Sequence, residues 1–202
     1  MSETNDYLEQ ARLAIEEDRK EDAKEFYEMA FDQMPDNLEA KFYCDFYSQD
    51  YDFEGARSFL TKTSGNYMEQ VVDFVIRDES LPFNERLNIL SSIIGTYLSA
   101  FEYVMSIRWL PLYRSQAQRL GQYIDDAGLH IIAKCIWEEM IKTRYGFSEY
   151  RSCWDKGKTL WFEDLAKKIQ TIDPSYVAPE FKQAGCLRAL TNNDIGRLVR
   201  GE

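Results

Sequence analysis

Histidine occurs once in this chain of 202 residues, as His130, and cysteine four times. No two of Cys44, Cys135, Cys153 and Cys186 are spaced as C-x-x-C, so a zinc site would need ligands from distant segments, and no metal or cofactor is expected. Proline (5) and glycine (10) are too scarce for the turns of an all-β fold. No stretch shows the sustained two-residue alternation of a half-buried strand. The longest uncharged run, Leu87 to Phe101, falls short of the roughly 20 residues that span a bilayer. It also carries Asn88, Ser91, Ser92, Gly95, Thr96 and Ser99, and reads as a buried helix. The patterns G-x-x-x-x-G-K, G-x-G-x-x-G, H-E-x-x-H and G-x-S-x-G are missing, so no familiar catalytic or nucleotide-binding chemistry is indicated. The opening Met-Ser-Glu-Thr-Asn-Asp has neither a basic stretch nor an apolar one. A secretory signal is not expected, and the expected setting is a reducing cytoplasm in which the cysteines are packed thiols.

Basic charge is also in deficit, and unevenly so. Acids number 35 against 24 lysines and arginines, a formal charge of -11. Up to Asp52 there are 16 acids and 5 bases, and beyond it the two signs balance. The imbalance therefore sits in the first quarter of the chain. Such a field repels phosphate backbones and anionic lipids and favours basic partners, although solubility alone is its plainer reading.

What is present is helical periodicity. Tyr7, Leu8, Ala11, Ala14 and Ile15 mark one apolar face, and Asp18 with Glu21 predicts a capping box opening a second helix through Ala23, Phe26, Tyr27, Ala30 and Phe31. Pro35-Asp36-Asn37 predicts a stop and a restart, with a third helix over Leu38 to Tyr47. Asp52 predicts the cap of a fourth that ends by Gly65. Met68, Val71, Val72 and Val75 form a short stripe. Phe83, Leu87, Leu90, Ile94, Tyr97, Phe101 and Val104 then alternate spacings of four and three, a coiled-coil-like seam on a helix opened by Ser80 and Pro82. Pro111 predicts a break, followed by a helix through Leu112, Ala117, Leu120 and Ile124. Asp125 and Asp126 are read as the start of the next, which carries Leu129, Ile132, Ala133, Ile136, Trp137 and Met140 and ends at Gly146. A loop over Ser148 to Gly157, a helix from Thr159 to Ile172, a stop at Asp173-Pro174, a short helix after Pro179 and a polar tail from Thr191 complete the chain.

Ala11, Ala23, Tyr27, Ala30 and Pro35 are spaced 12, 4, 3 and 5 apart. This resembles the tetratricopeptide repeat, whose small residues let two helices approach while a large one fills the gap and proline ends the second. A shift of 33 carries Ala11, Ala23 and Tyr27 onto Cys44, Ala56 and Leu60, but Ala30 onto Thr63 and the proline onto Met68, a degenerate second copy. The chain is also similar to uncharacterised helical proteins of Gram-positive gut bacteria. There a segment like Ile172-Asp173-Pro174-Ser175-Tyr176, followed by Ala178-Pro179-Glu180, recurs after a tetratricopeptide-like start. The zinc ribbon that often opens those proteins is lacking here. The resemblance implies an all-α protein, with tetratricopeptide-like helical hairpins over 1–65 continuing into a helical bundle over 66–190 and a tail over 191–202.

It further implies a binding scaffold whose groove is lined from the first helix by Asn5, Leu8, Glu9, Arg12 and Glu16 and from the third by Lys41 and Tyr43. Leu8, Arg12 and Tyr43 do not reproduce the lysine and asparagine clamp with which one subfamily grips a chaperone tail. The candidate partner-binding residues are Arg12, Tyr43 and Tyr47, the tyrosines belonging to a run of aromatics from Phe42 to Phe53. The competing reading packs both sides of that run against neighbouring helices. His130 has no acid or cysteine at a diagnostic spacing and reads as a structural or surface residue. Asp125-Asp126 and Glu138-Glu139 point about 100° apart within each pair and do not chelate. Arg151, Trp154, Lys156, Lys158 and Trp161 mix bases and aromatics, but Asp155 and Glu163 dilute any nucleic-acid signal. The expected function is a non-catalytic protein-interaction module with a protein or peptide partner of basic or aromatic character, and neither nucleic acid nor membrane. A self-associating helical protein pairing through the Phe83–Val104 seam, as a homo-oligomer, is the alternative. An enzyme of unrecognised class is the third reading.

Overall fold

The computed structural model describes residues 3–49, 52–103, 110–148 and 156–179. Among the described residues there are nine α-helices and no strand, so this part of the chain is all-α. They are α1 (Glu3–Glu16), α2 (Lys20–Gln33), α3 (Leu38–Tyr47), α4 (Phe53–Lys62), α5 (Tyr67–Ile76), α6 (Phe83–Tyr103), α7 (Leu110–Asp126), α8 (His130–Ser148) and α9 (Lys156–Ile172). They fall into two compact units, Met1–Leu120 and Gly121–Glu202, divided within α7. In the first, α1 packs on α2, α2 on α3, and α4 and α5 on α6, while α3 lies against α5 and more lightly against α4. Helices beyond residue 65 thus share a body with those before it.

The α1–α2 pair is built from alanines. Ala11, Ala14, Ala23 and Ala30 are wholly buried, and a methyl group lets two backbones come close, with Leu8 and Tyr27 filling the remaining volume. The turn between the helices departs from the expected capping box. Asp18 takes a φ of 55° and closes α1, with Asp18 N–H donating to Ile15 O (3.0 Å) and Arg19 N–H to Ala14 O (2.8 Å). That is the Schellman pattern, in which glycine is usual and a short acid is tolerated. Arg19 stands at the N-cap of α2 without a side-chain cap bond and pairs with Glu17 and Asp22.

Other boundaries follow local chemistry. Asn37 accepts from Ala40 N–H at the start of α3 (2.9 Å), and Asp52 from Gly55 N–H at the start of α4 (2.7 Å). Gly65 supplies a positive φ of 70° between α4 and α5. The stripe Met68, Val71, Val72 and Val75 is buried. On α6, Leu90, Ile93, Ile94 and Tyr97 are buried, in the helix that α4 and α5 pack against. Phe83 is 51% exposed and lies against the Arg86 guanidinium, so the seam begins a turn later than its spacing predicts. Leu90, Ile94 and Tyr97 of the seam are buried within the chain. The side chains of Phe101 and Val104 lie outside the described residues, as do those of Leu112, Leu160, Trp161 and Trp154. So do Cys153, Cys186, any helix after Pro179 and the tail from Thr191.

In the second unit, Asp125 and Asp126 end α7 instead of starting α8. Gly128 (φ 80°) makes the turn, its N–H reaching Asp125 O (2.9 Å) and Leu129 N–H reaching Ile124 O (3.0 Å). Gly146 lies inside α8 and does not end it. Cys135 is exposed and Cys44 half-buried, so neither is the fully packed thiol that was expected. Ile132, Ala133, Ile136, Trp137 and Met140 of α8 are buried with Phe162, Leu165, Ala166 and Ile169 of α9. Trp137 is 1% exposed, and a Cβ added at Gly121 would stand 2.5 Å from its Nε1. α7 approaches the indole as closely as only glycine allows.

Asp173 ends α9 as the Asp-Pro pair predicts, and its carboxylate gathers the segment that follows. It accepts from Ser175 N–H (3.0 Å), from Ser175 Oγ (2.6 Å) and from Lys134 Nζ of α8 (2.6 Å). The Lys134 and Ser175 bonds hold this carboxyl at about 2.

Two outcomes are expected. Gly121→Ala lowers stability by about 1–3 kcal/mol through overpacking, against the ~1 kcal/mol by which alanine outranks glycine in a helix, and a thermal midpoint that stays put would show the indole free to move aside. Because the Asp173 carboxyl is lowered, its stabilising effect is complete above its ordinary value of 3.8 and fades as pH falls toward 2. Acid titration should therefore show a steeper loss of stability over that window for the native chain than for Asp173→Asn.

Candidate functional site

Of the three residues expected to meet a partner, Arg12 holds a carboxylate hidden from water, and Tyr43 and Tyr47 are linked to it through the ring of Tyr27. Glu39, in the first turn of α3, is 2% exposed. Arg12 of α1 grips it as a fork, Nε to Oε1 at 2.8 Å and Nη2 to Oε2 at 2.6 Å. Tyr27 of α2 donates its hydroxyl to Oε1 at 3.1 Å. The Tyr27 ring stacks on Tyr43 of α3 at 4.3 Å between centroids, and the Tyr43 hydroxyl bonds Ser92 Oγ of α6 at 2.8 Å. Tyr47 in turn stacks with Tyr43 at 6.1 Å between centroids. Arg12 also reaches Glu85 of α6, Nη1 to Oε1 at 3.6 Å.

The electrostatics follow from burial. Burial works against the Arg12 charge, and the Glu39 hydrogen bond together with the charge of Glu39 and the nearby Tyr27 and Glu85 more than offsets it, so the guanidinium is held above its ordinary value. Burial, then the Glu39 charge, pushes the Tyr27 phenol well up. Burial raises Tyr43 too, with the Ser92 hydrogen bond opposing it. Both tyrosines stay neutral hydrogen-bonding groups at ordinary pH.

This geometry alters the expected surface. Tyr43 is 1% exposed, because α3 is flanked by other helices and both Phe42 and Tyr43 are needed to fill the space. Its hydroxyl is spent on Ser92, so Tyr43 offers nothing outward. Arg12 is engaged with Glu39. Tyr47 is half-buried at the edge of the stack. Glu39 was missed because an acid in the first turn of a helix is ordinary. Its one signal was register: Glu39, Tyr43 and Tyr47 lie four residues apart and share a face.

The acidic quarter of the chain forms a face of its own. Glu21, Glu25, Glu28 and Asp32 are all exposed, at spacings of four, three and four along α2. None of the four has an ion-pair partner among the described residues. Met29, 37% exposed, lies beside them. Their field extends to α3: burial first, then Glu28, Asp45 and Asp32, push the Cys44 thiol up to about 12.

In the second unit His130, 59% exposed at its side chain, bonds Asp125 through Nδ1 at 2.6 Å. The five-residue separation hid this pair until the Gly128 turn was known. Among the described residues, no group of three or more His, Cys, Asp and Glu is placed to hold a metal ion, and no helix is long and apolar enough to cross a membrane. The chain matches no protein family, no curated protein and no solved structure.

If Arg12 serves to satisfy Glu39, then Arg12→Met should cost about 3 kcal/mol by leaving a buried carboxylate unpaired, and adding Glu39→Met should recover most of that loss. Denaturant titration of both variants checks this. Equal stability of Arg12→Met and the native chain would mean that the fork contributes nothing.

Proposed function

We propose that this chain is a non-catalytic protein-interaction module of the cytoplasm that binds a basic protein or peptide on the outer face of α2. The observation that carries this reading is the row Glu21, Glu25, Glu28 and Asp32, exposed and without ion-pair partners among the described residues. Carboxylates aligned along one helix face attract lysines and arginines presented at a similar spacing, and speed encounter from beyond contact range. Met29 adds an apolar contact within the row. The alanine-lined α1–α2 hairpin, read as tetratricopeptide-like, supports a scaffold role.

Exposed pairs are worth about 0.2–1 kcal/mol each, so binding should be modest and sensitive to salt. The test is affinity capture from the native host with the native chain and with a variant carrying Glu25→Lys and Glu28→Lys. Basic partners should be retained by the first, lost by the second, and released by added salt. Equal capture by a correctly folded reversed-charge variant would overturn the proposal.

A further inference from the structure

A cleft of about 330 Å³ opens in the first unit where the end of α4, the start of α5, the body of α6 and the described part of α7 meet. That volume is at the lower end for small-molecule sites, roughly 300–1,000 Å³. Its apolar wall is Met68, Tyr97 and Leu120, all buried. Its polar wall is formed by Thr63, Ser64, Glu69, Ser115, Gln116 and Arg119, and the oxygens of Gln116 and Glu69 are the acceptors it leaves open. The Gln116 side-chain oxygen, Oε1, is buried there with no hydrogen-bond partner. An unmet carbonyl acceptor in a low-dielectric site calls for an N–H or O–H from outside. Glu69 uses one carboxylate oxygen, Oε1, on Arg119 Nε at 2.7 Å, and its second oxygen makes no hydrogen bond among the described residues. Ser64 and Thr63 spend their protons on the backbone oxygens of Thr61 (2.7 Å) and Phe59 (2.9 Å), so each hydroxyl presents lone pairs alone.

We infer that this cleft binds a primary ammonium carried on an aliphatic stem. An ammonium brings three donors and no acceptor, matching the open oxygens of Gln116 and Glu69. The stem lies along Met68, Tyr97 and Leu120. An anion would face the Glu69 carboxylate and leave the Gln116 oxygen unmet. Arg119 is the charge that opposes the ligand. Its side chain is 54% exposed and already bound to Glu69, so it competes with the ligand for that carboxylate. The same chemistry arises as a lysine side chain of a protein or as a free alkylamine. The inference does not rest on the α2 face, which contributes no residue to this cleft.

The test is calorimetric titration of the full chain with n-pentylamine, with Nα-acetyl-lysine methylamide and with n-pentanol. Saturable binding of an amine, at least tenfold tighter than n-pentanol, is expected. Both amines binding points to a lysine side chain as ligand, and n-pentylamine binding alone points to a free amine. Gln116→Leu removes the orphan acceptor and should fold at least as well as the native chain, yet bind amine at least tenfold more weakly, as should Glu69→Gln. Arg119→Gln frees Glu69 and should bind amine several-fold more tightly. The inference is overturned by an absence of saturable amine binding, by equal affinity for n-pentanol, or by undiminished binding in folded Gln116→Leu. Weaker amine binding in Arg119→Gln, or pentanoate binding that this variant abolishes, would assign the cleft to anions instead.

Discussion

The first unit depends on keeping one desolvated carboxylate satisfied. Glu39 is removed from water, at a penalty of several kcal/mol for a charge of its size, and only well-placed donors offset that. Arg12 and Tyr27 are those donors, and each comes from a different helix. A two-pronged bond from a planar guanidinium accepts a single relative placement of α1 and α3, whereas an apolar contact would accept several. The Tyr27–Tyr43 stack and the Tyr43–Ser92 bond then extend the same placement to α6. Four helices are thus fixed relative to one another through one connected set of polar and aromatic contacts.

That arrangement determines which side of the α1–α2 hairpin is covered. In a tetratricopeptide reading, the side formed by α1 and α3 is the one offered to a peptide. Here Arg12 of α1 reaches Glu85, and Tyr43 of α3 reaches Ser92, both on α6. The chain engages these groove residues with its own helix. The outer side of α2 is left exposed and carries acids without ion-pair partners among the described residues instead of aromatic anchors. The hairpin therefore has an inward side specialised for close packing and an outward side specialised for charge.

The parts of the fold legible in the sequence were those set by neighbours a few residues apart. Asn37 and Asp52 cap helices through bonds to the third residue onward, and Val71, Val72 and Val75 mark a buried stripe by spacing alone. Long-range contacts were not legible. Asp18 looks like a cap, and only the left-handed turn makes it the terminator of the preceding helix. Asp125 and Asp126 were assigned to the wrong helix for the same reason, because Gly128 draws the boundary after them. The aromatic run predicted contact at Phe42 and Tyr43 but not which side would be enclosed. That choice is made by Tyr27 and Ser92, 16 positions before and 49 after Tyr43. The need for glycine at position 121 comes from an indole on another helix and has no local signature.

The row of acids on α2 also governs how one molecule meets another of its kind. Brought together through this face, two copies would oppose four carboxylates against four, with Lys24 the one base set among them on α2. Any homotypic contact must turn that helix away. Like charges on this face hold copies apart in a crowded solution, and dissolved ions shorten the reach of that repulsion.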